Sequence, residues 1–135
     1  MKCTHLACLL LLLTACGPEE SYRPLEIEIY GVSARAATVN LKLFTLEKPA
    51  KCNELEREKI SSADSYITEV WDRASAIERA WSIPPLQDES VTMVVYTSNE
   101  DEQVLQYLCR EITYVGVGEN ESGVLNVTLP ARQAP

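Results

Sequence analysis

The chain has 135 residues, of which 12 are basic and 20 acidic, so its formal net charge is −8. This length indicates one domain. The acidic balance argues against a nucleic-acid partner, because phosphate backbones would be repelled. The only histidine is His5, in a segment that we expect to be removed, so Ser-His-Asp and Cys-His catalysis are excluded. We therefore expect no catalytic residues, no cofactor and no metal site.

Residues 1–15 have the pattern of an export signal. Lys2 supplies a positive charge, and an uninterrupted apolar run covers residues 6–13. A run of this length spans only about 12 Å as a helix, whereas the hydrocarbon core of a bilayer is about 30 Å thick. The run is typical of a signal peptide and too short for a membrane-spanning helix.

The end of this segment reads Leu13-Thr14-Ala15-Cys16, which resembles the lipobox of bacterial lipoproteins. The resemblance implies that Cys16 is lipidated on its sulfur and becomes the first residue after cleavage, with residues 16–24 forming a lipidated tether to the membrane. Gly17 resembles the sorting pattern of outer-membrane lipoproteins in Gram-negative bacteria. The alternative is an ordinary secretory peptide, cleaved close to Ala15, that releases an unanchored protein.

Two stretches after the tether alternate apolar and polar residues, which predicts half-buried strands. The first is Leu25–Tyr30, and Gly31 ends it. The second covers residues 38–46, where Val39, Leu41 and Leu43 face one way and the intervening residues the other.

Residues 66–83 fit two interpretations. Apolar residues recur at helical spacing, and Asp64 is a candidate helix cap, so a helix within residues 63–81 is possible. The alternative is a pair of strands, residues 66–71 and 77–83, that turn at residues 72–75. We favour the two strands, because the segments on either side have strand patterns.

Three further strands are predicted at residues 90–97, in the later part of 104–115, and at 124–129, followed by a frayed tail at 131–135. The fold class is mainly β: a single antiparallel β-sandwich of about seven strands over residues 25–130. The positions of Cys52 and Cys109 and the Val-Thr-Leu ending resemble the small immunoglobulin-like or transthyretin-like sandwiches of bacterial envelope lipoproteins.

The cysteine count suggests one disulfide bond. Of five cysteines, Cys3 and Cys8 leave with the signal peptide and Cys16 carries the lipid. Cys52 and Cys109 remain, and a remaining pair in an exported protein usually forms a bridge. Two free thiols or a redox pair are the alternatives.

Two kinds of candidate binding residues remain. Acidic turns at residues 99–102 and 119–121 carry oxygens that could hold Ca²⁺, although solvated turns are the favoured interpretation. Four aromatic residues form either a binding platform for a sugar or protein partner or part of the core; they are Tyr66, Trp71, Trp81 and Tyr96.

The leading hypothesis is a non-enzymatic binding or structural module on the cell envelope. Its partners would be the membrane, through the lipid on Cys16, and an unknown protein or glycan. The alternatives are a secreted, unanchored binding or inhibitor domain and a glycan-active enzyme that depends on carboxylates or calcium.

Overall fold

The computed structural model describes residues 25–83, 90–113 and 124–131. Within these residues there are one α-helix, α1 (Arg73–Glu78), and two 3-10 segments, Cys52–Glu54 and Arg57–Ser62. None of the described helices has the length and apolar character needed to cross a membrane. The described strands are β1 (Leu25–Tyr30), β2 (Thr38–Phe44), β3 (Ile67–Asp72), β4 (Trp81–Ile83), β5 (Ser90–Ser98), β6 (Val104–Thr113) and β7 (Val124–Thr128).

The strands form two sheets that enclose the main hydrophobic core. One sheet has four strands in the order β3-β2-β5-β6, and the other has three in the order β4-β1-β7. Side chains from the facing surfaces of both sheets are buried between them, including Ile27, Leu41, Met93 and Val127, each 0% exposed. The predicted mainly β sandwich of seven strands is confirmed.

One part of the predicted topology is wrong, because the sandwich is not wholly antiparallel. β1 pairs with β4 in antiparallel fashion but with β7 in parallel, from Glu26 opposite Val124 to Tyr30 opposite Thr128. The chain reaches β7 from β6, which lies in the other sheet. Because no hairpin joins β1 to β7, no tight turn imposes an antiparallel direction on this pair.

Residues 66–83 combine both interpretations of the sequence. β3 matches the first predicted strand, but the expected turn at residues 72–75 is the start of α1, and only the end of the second predicted strand is formed, as β4. Asp72 caps α1: its carboxylate accepts hydrogen bonds from the backbone N–H of Ser75 at 3.1 Å and from the Ser75 hydroxyl at 2.6 Å. These bonds lower the pKa of Asp72.

The helix cap proposed at Asp64 is therefore wrong, since Asp64 forms an exposed ion pair with Lys48 at 2.7 Å. Ala76 is 1% exposed and packs into the main core from the middle of α1. Because Ala76 is small, α1 can lie close to the sandwich. A strand over residues 77–83 would not require a small residue at this position.

β2 is buried on both faces, not half-buried as its alternation predicts. Val39, Leu41 and Leu43 face the main core. The opposite face is covered by residues 51–63, which we call the covering segment. Its Ile60 is 0% exposed and packs with Phe44, Val94 and Tyr96 in a second hydrophobic cluster.

Two cationic side chains hold the covering segment on the sheet through backbone carbonyls. The ammonium of Lys42, a residue only 4% exposed, donates to the carbonyls of Ser61 at 2.9 Å and Ala63 at 2.6 Å. In the other direction, Arg57 reaches from the covering segment to β6 and donates to the carbonyls of Val104 and Leu105, both at 3.0 Å. Charged donors form stronger hydrogen bonds than neutral ones.

The side-chain amide of Gln106 joins the two sheets near the end of β1. Its nitrogen donates to the carbonyls of Gly31 at 2.8 Å and Pro130 at 2.9 Å. Its oxygen accepts from the backbone N–H of Ser33 at 2.8 Å and from the Thr97 hydroxyl at 3.2 Å. Gln106 is 3% exposed, so its full hydrogen-bonding capacity is used inside the protein.

Gly31 allows this junction to form. Its φ is +75°, a region that glycine adopts without strain, and a Cβ at this position would lie 3.0 Å from the carbonyl oxygen of Leu129. The strand-ending role predicted for Gly31 therefore includes a close approach between the ends of β1 and β7.

We expect Gln106→Leu to lower the free energy of unfolding by about 3 kcal/mol or more, because it leaves several buried polar groups without partners. Urea unfolding measures this effect. Gln103→Leu is the matched control: Gln103 is exposed, and its loss should cost no more than about 0.5 kcal/mol. Equal effects of the two substitutions would contradict the role given to Gln106.

Lys42 provides a prediction about pH. Burial lowers the pKa of its ammonium below the usual 10.5, and the charge of Asp64 opposes this only in part. Between the lowered pKa and 10.5 the unfolded chain binds more protons, so the contribution of Lys42 to stability rises with pH.

We therefore expect the free energy of unfolding of the wild type, relative to Lys42→Met, to increase as the pH is raised from neutral toward 10.5. Urea titrations across this range measure the difference. Lys51→Met, at an exposed position, controls for the loss of one positive charge. A difference that stays constant or falls with pH would refute the assignment.

Candidate functional site

The predicted disulfide is present and the predicted lipidation residue lies outside the described part of the chain. Cys52 and Cys109 are bonded, with their Cα atoms 5.7 Å apart. Cys52 opens the first 3-10 segment and Cys109 lies on β6, so the bond fastens the start of the covering segment to the edge of the four-stranded sheet. Cys16 precedes residue 25, where the description begins.

The two acidic stretches do not provide a described metal site. In the first, the Asn99 side-chain oxygen accepts hydrogen bonds from the backbone N–H groups of Asp101 at 3.0 Å and Gln103 at 2.8 Å. That oxygen is therefore used to shape the turn. Within residues 25–83, 90–113 and 124–131, no group of three or more His, Cys, Asp or Glu residues could hold a metal ion. The second stretch, residues 119–121, lies outside the described residues.

The four candidate aromatic residues separate into three environments. Trp71 and Trp81 are in contact, with ring centroids 4.6 Å apart and ring planes inclined by 44°. Tyr96 is buried in the second cluster beneath the covering segment, where burial raises its pKa. Tyr66 is 45% exposed. A four-residue platform is therefore not formed, but the tryptophan pair is.

The tryptophan pair lies at an open side of the sandwich, between β3 and β4. Strand register places Trp71 opposite Val39 and Glu69 opposite Leu41, so both side chains belong to the core-facing side of β3. The residues of this side line a cavity of about 320 Å³, which we call the tryptophan cleft. Its main lining residues are Leu41, Ile67, Glu69, Trp71, Arg79 and Trp81.

The short connection through α1 brings the two walls of the cleft together. Trp71 lies near the end of β3, α1 crosses from one sheet to the other, and Trp81 begins β4, where it pairs with Ile27. Ten positions along the chain thus separate two rings that touch in space. Arg79, at the C-terminal end of α1, has an extended backbone conformation that leads the chain into β4.

The cleft has an apolar floor and a charged rim. Leu41 is 0% and Trp81 1% exposed, and Trp71 is half-buried. Glu69 and Arg79 are exposed. The ion pairs found among the described residues are Lys48–Asp64 and Lys59–Glu56, so neither rim charge is neutralised by a described neighbour. The rim therefore presents one acceptor-only and one donor-only group.

One buried polar atom at the cleft lacks a partner. The indole Nε1 of Trp81 is buried and finds no hydrogen-bond acceptor among the described residues. Buried polar groups in proteins are nearly always paired, so an exception of this kind requires an explanation. Trp81 lines the cleft, so the unsatisfied donor belongs to a residue of the candidate site.

The sequence contained a partial signal for this site. In a strand over residues 77–83, Arg79 would share a face with the apolar Ile77, Trp81 and Ile83, so that face would have to be partly solvated. The cleft is that solvated region. Glu69 had no such signal, because its place in the cleft depends on the pairing of β3 with β2, which periodicity alone does not determine.

A larger cavity of about 600 Å³ lies near the disulfide and includes Phe44, Thr45, Glu54 and Glu111 in its wall. Its carboxylates already have roles in the covering segment: Glu54 accepts from the backbone N–H of Lys51 at 2.9 Å, and Glu111 from that of Cys52 at 3.4 Å. Thr45 Oγ1 is also buried without a partner among the described residues, so an unpaired polar atom does not distinguish the two cavities. The rim charges of the tryptophan cleft have no comparable structural role, and this difference makes the cleft the stronger candidate.

No protein-family model, curated protein or solved structure matches this chain. The proposals below are therefore based on the sequence pattern and on the geometry of the described residues.

The disulfide provides a stability prediction. We expect the double variant Cys52→Ser/Cys109→Ser to lose about 4 kcal/mol of unfolding free energy. The unfolded chain without the bridge has a higher conformational entropy than the bridged unfolded chain, which favours unfolding. Urea unfolding measures the loss, and chemical reduction of the wild type should reproduce it. The contacts of Lys42 and Arg57 should keep the folded state unchanged by circular dichroism. A loss below about 1 kcal/mol would contradict this account.

Proposed function

We propose that this protein is a lipid-anchored lipoprotein of the bacterial cell envelope whose β-sandwich acts as a non-enzymatic binding module. The observation that carries the proposal is the sequence Leu13-Thr14-Ala15-Cys16 at the end of a short apolar run. A cysteine suits this role because its thiolate is a soft nucleophile that can form a thioether with a lipid. Two acyl chains anchor a protein stably, whereas one is marginal.

The disulfide bond supports export. Such bonds persist in oxidising compartments, including the bacterial periplasm, and are rare in the cytosol. The Cys52–Cys109 bond joins parts of the chain separated by 57 positions, and an oxidising environment would preserve its contribution to stability. A lipoprotein on the outer membrane, as Gly17 suggests by resemblance, would be in such an environment.

The tryptophan cleft supports a binding role. It combines an apolar floor, the half-buried ring of Trp71 and two rim charges that pair with no neighbour among the described residues. Ligand sites are typically concave and mostly apolar, with a few polar groups that fix the orientation of the ligand. The resemblance to immunoglobulin-like and transthyretin-like sandwiches fits a binding module, although this architecture also carries many other functions.

The anchor is tested by expressing the full chain in a Gram-negative host with labelled palmitate. We expect the wild type to incorporate the label and to yield an intact mass that corresponds to a chain beginning at Cys16 with acyl groups attached. Cys16→Ser should incorporate no label, because it lacks the thiol that accepts the lipid. Reduction should add the mass of two hydrogens, from the Cys52–Cys109 bond.

Cys8→Ser is the matched control, since it removes a cysteine from the same segment and should leave acylation intact. An unmodified mature chain that begins at Gly17 or Pro18 would refute the anchor. That result would indicate a free secreted domain, and the binding or inhibitor alternative would then be the better explanation.

A further inference from the structure

The chain contains two tryptophans, and both line the tryptophan cleft. We propose that this cleft binds one pyranose ring of a neutral glycan, with the ring against Trp71 and its hydroxyls between Glu69 and Arg79. This inference rests on the proposed binding role of the sandwich. It does not depend on whether Cys16 carries a lipid.

The size of the cleft fits a single ring. Its volume is about 320 Å³, at the lower end of the roughly 300–1,000 Å³ found for small-molecule sites. The cleft is bounded by β3 on one side and by the residues that lead into β4 on the other. One ring-sized group can occupy this space, and the rest of a longer glycan would extend into solvent.

The aromatic wall fits the apolar face of a sugar. The face of an indole ring carries partial negative charge, which attracts polarised hydrogens that lie against it. A pyranose presents a surface of C–H groups of this kind. Trp71 is half-buried and its ring centroid lies 4.6 Å from that of Trp81, so this contact restricts the position of Trp71 before any ligand binds.

The rim charges favour a neutral ligand with many hydroxyls. The Glu69 carboxylate only accepts hydrogen bonds and the Arg79 guanidinium only donates them. A hydroxyl can do both, so one ring can satisfy both side chains. A cationic ligand would be attracted by Glu69 but repelled by Arg79. An anionic ligand would be attracted by Arg79 but repelled by Glu69 and by the net charge of −8.

The aromatic wall and the rim charges point to the same chemistry. A pyranose ring offers C–H groups to the indole face of Trp71 and hydroxyls to Glu69 and Arg79. Apolar ligands have no hydroxyls for the two charges. A saccharide is thus a class of ligand that meets the aromatic wall and the two rim charges together.

The two tryptophans also make the proposal directly measurable, because the intrinsic tryptophan fluorescence arises from the site itself. We would titrate the purified full-length mature protein, in a detergent without sugar groups, with three neutral trisaccharides: maltotriose, cellotriose and N-acetylglucosamine trimer. The expected result is a saturable change in emission with at least one of them below about 10 mM. Trigalacturonate, an anionic trisaccharide, should bind at least about tenfold more weakly because of the net negative charge.

Variants locate the binding to the cleft. Measured by calorimetry, Trp71→Ala should weaken binding at least about tenfold, whereas Glu69→Gln should weaken it less, because the amide still offers an oxygen acceptor. Trp71→Phe retains an aromatic face and should keep part of the affinity, which guards against a simple loss of folding. Tyr66→Ala is the matched control: Tyr66 is exposed beside β3 but does not line the cleft.

The proposal is overturned if none of the neutral trisaccharides changes the emission, or if Trp71→Ala binds as tightly as the wild type. Repeating the titration with unlipidated Cys16→Ser separates the two proposals. A wild-type chain that binds a trisaccharide but carries no acyl group would refute only the anchor, and an acylated wild type that binds none of them would refute only the glycan site.

Discussion

The hydrogen bonds of the Gln106 amide determine how the two sheets meet. Four groups from three parts of the chain converge on this side chain, and all of its bonds are made inside the protein. The sandwich is thereby closed beside β6 and β7. On the opposite side, α1 is the connection between β3 and β4 among the described residues. A sandwich held firmly at one side and linked by a single short helix at the other leaves room for the tryptophan cleft.

The requirement that buried polar groups have hydrogen-bond partners also explains the covering segment. β2 and β5 are buried on both faces, so the outer face of the four-stranded sheet needs its own apolar cover, which Ile60 provides. An irregular segment lying on a sheet brings backbone carbonyls out of water, and each requires a donor. Lys42 donates to two carbonyls of this segment. In the other direction, Arg57 of the segment donates to two carbonyls of β6. A buried lysine is thus a consequence of covering a sheet with 3-10 turns.

The sequence predicts the parts of this fold that depend on local pattern. β1, β2, β5 and β7 follow from alternation and strand-forming residues, and the Cys52–Cys109 bond follows from counting cysteines. The region around α1 is different, because strand and helix signals overlap in its sequence. β3 and β4 have strand patterns, and α1 begins where the Asp72 carboxylate accepts a hydrogen bond from the backbone N–H of Ser75. The parallel pairing of β7 and the meeting of Glu69, Trp71 and Arg79 depend on tertiary contacts, which no local pattern contains.

The proposed anchor and the proposed glycan site also constrain each other. If Cys16 is lipidated, eight residues, 17–24, connect it to β1. A fully extended chain of this length spans at most about 29 Å, so the sandwich would remain close to the membrane surface. A glycan that reaches the tryptophan cleft would then have to be present within that layer of the envelope. Under the two proposals together, the short tether would restrict ligands by their position in the envelope, and the cleft would restrict them to uncharged rings.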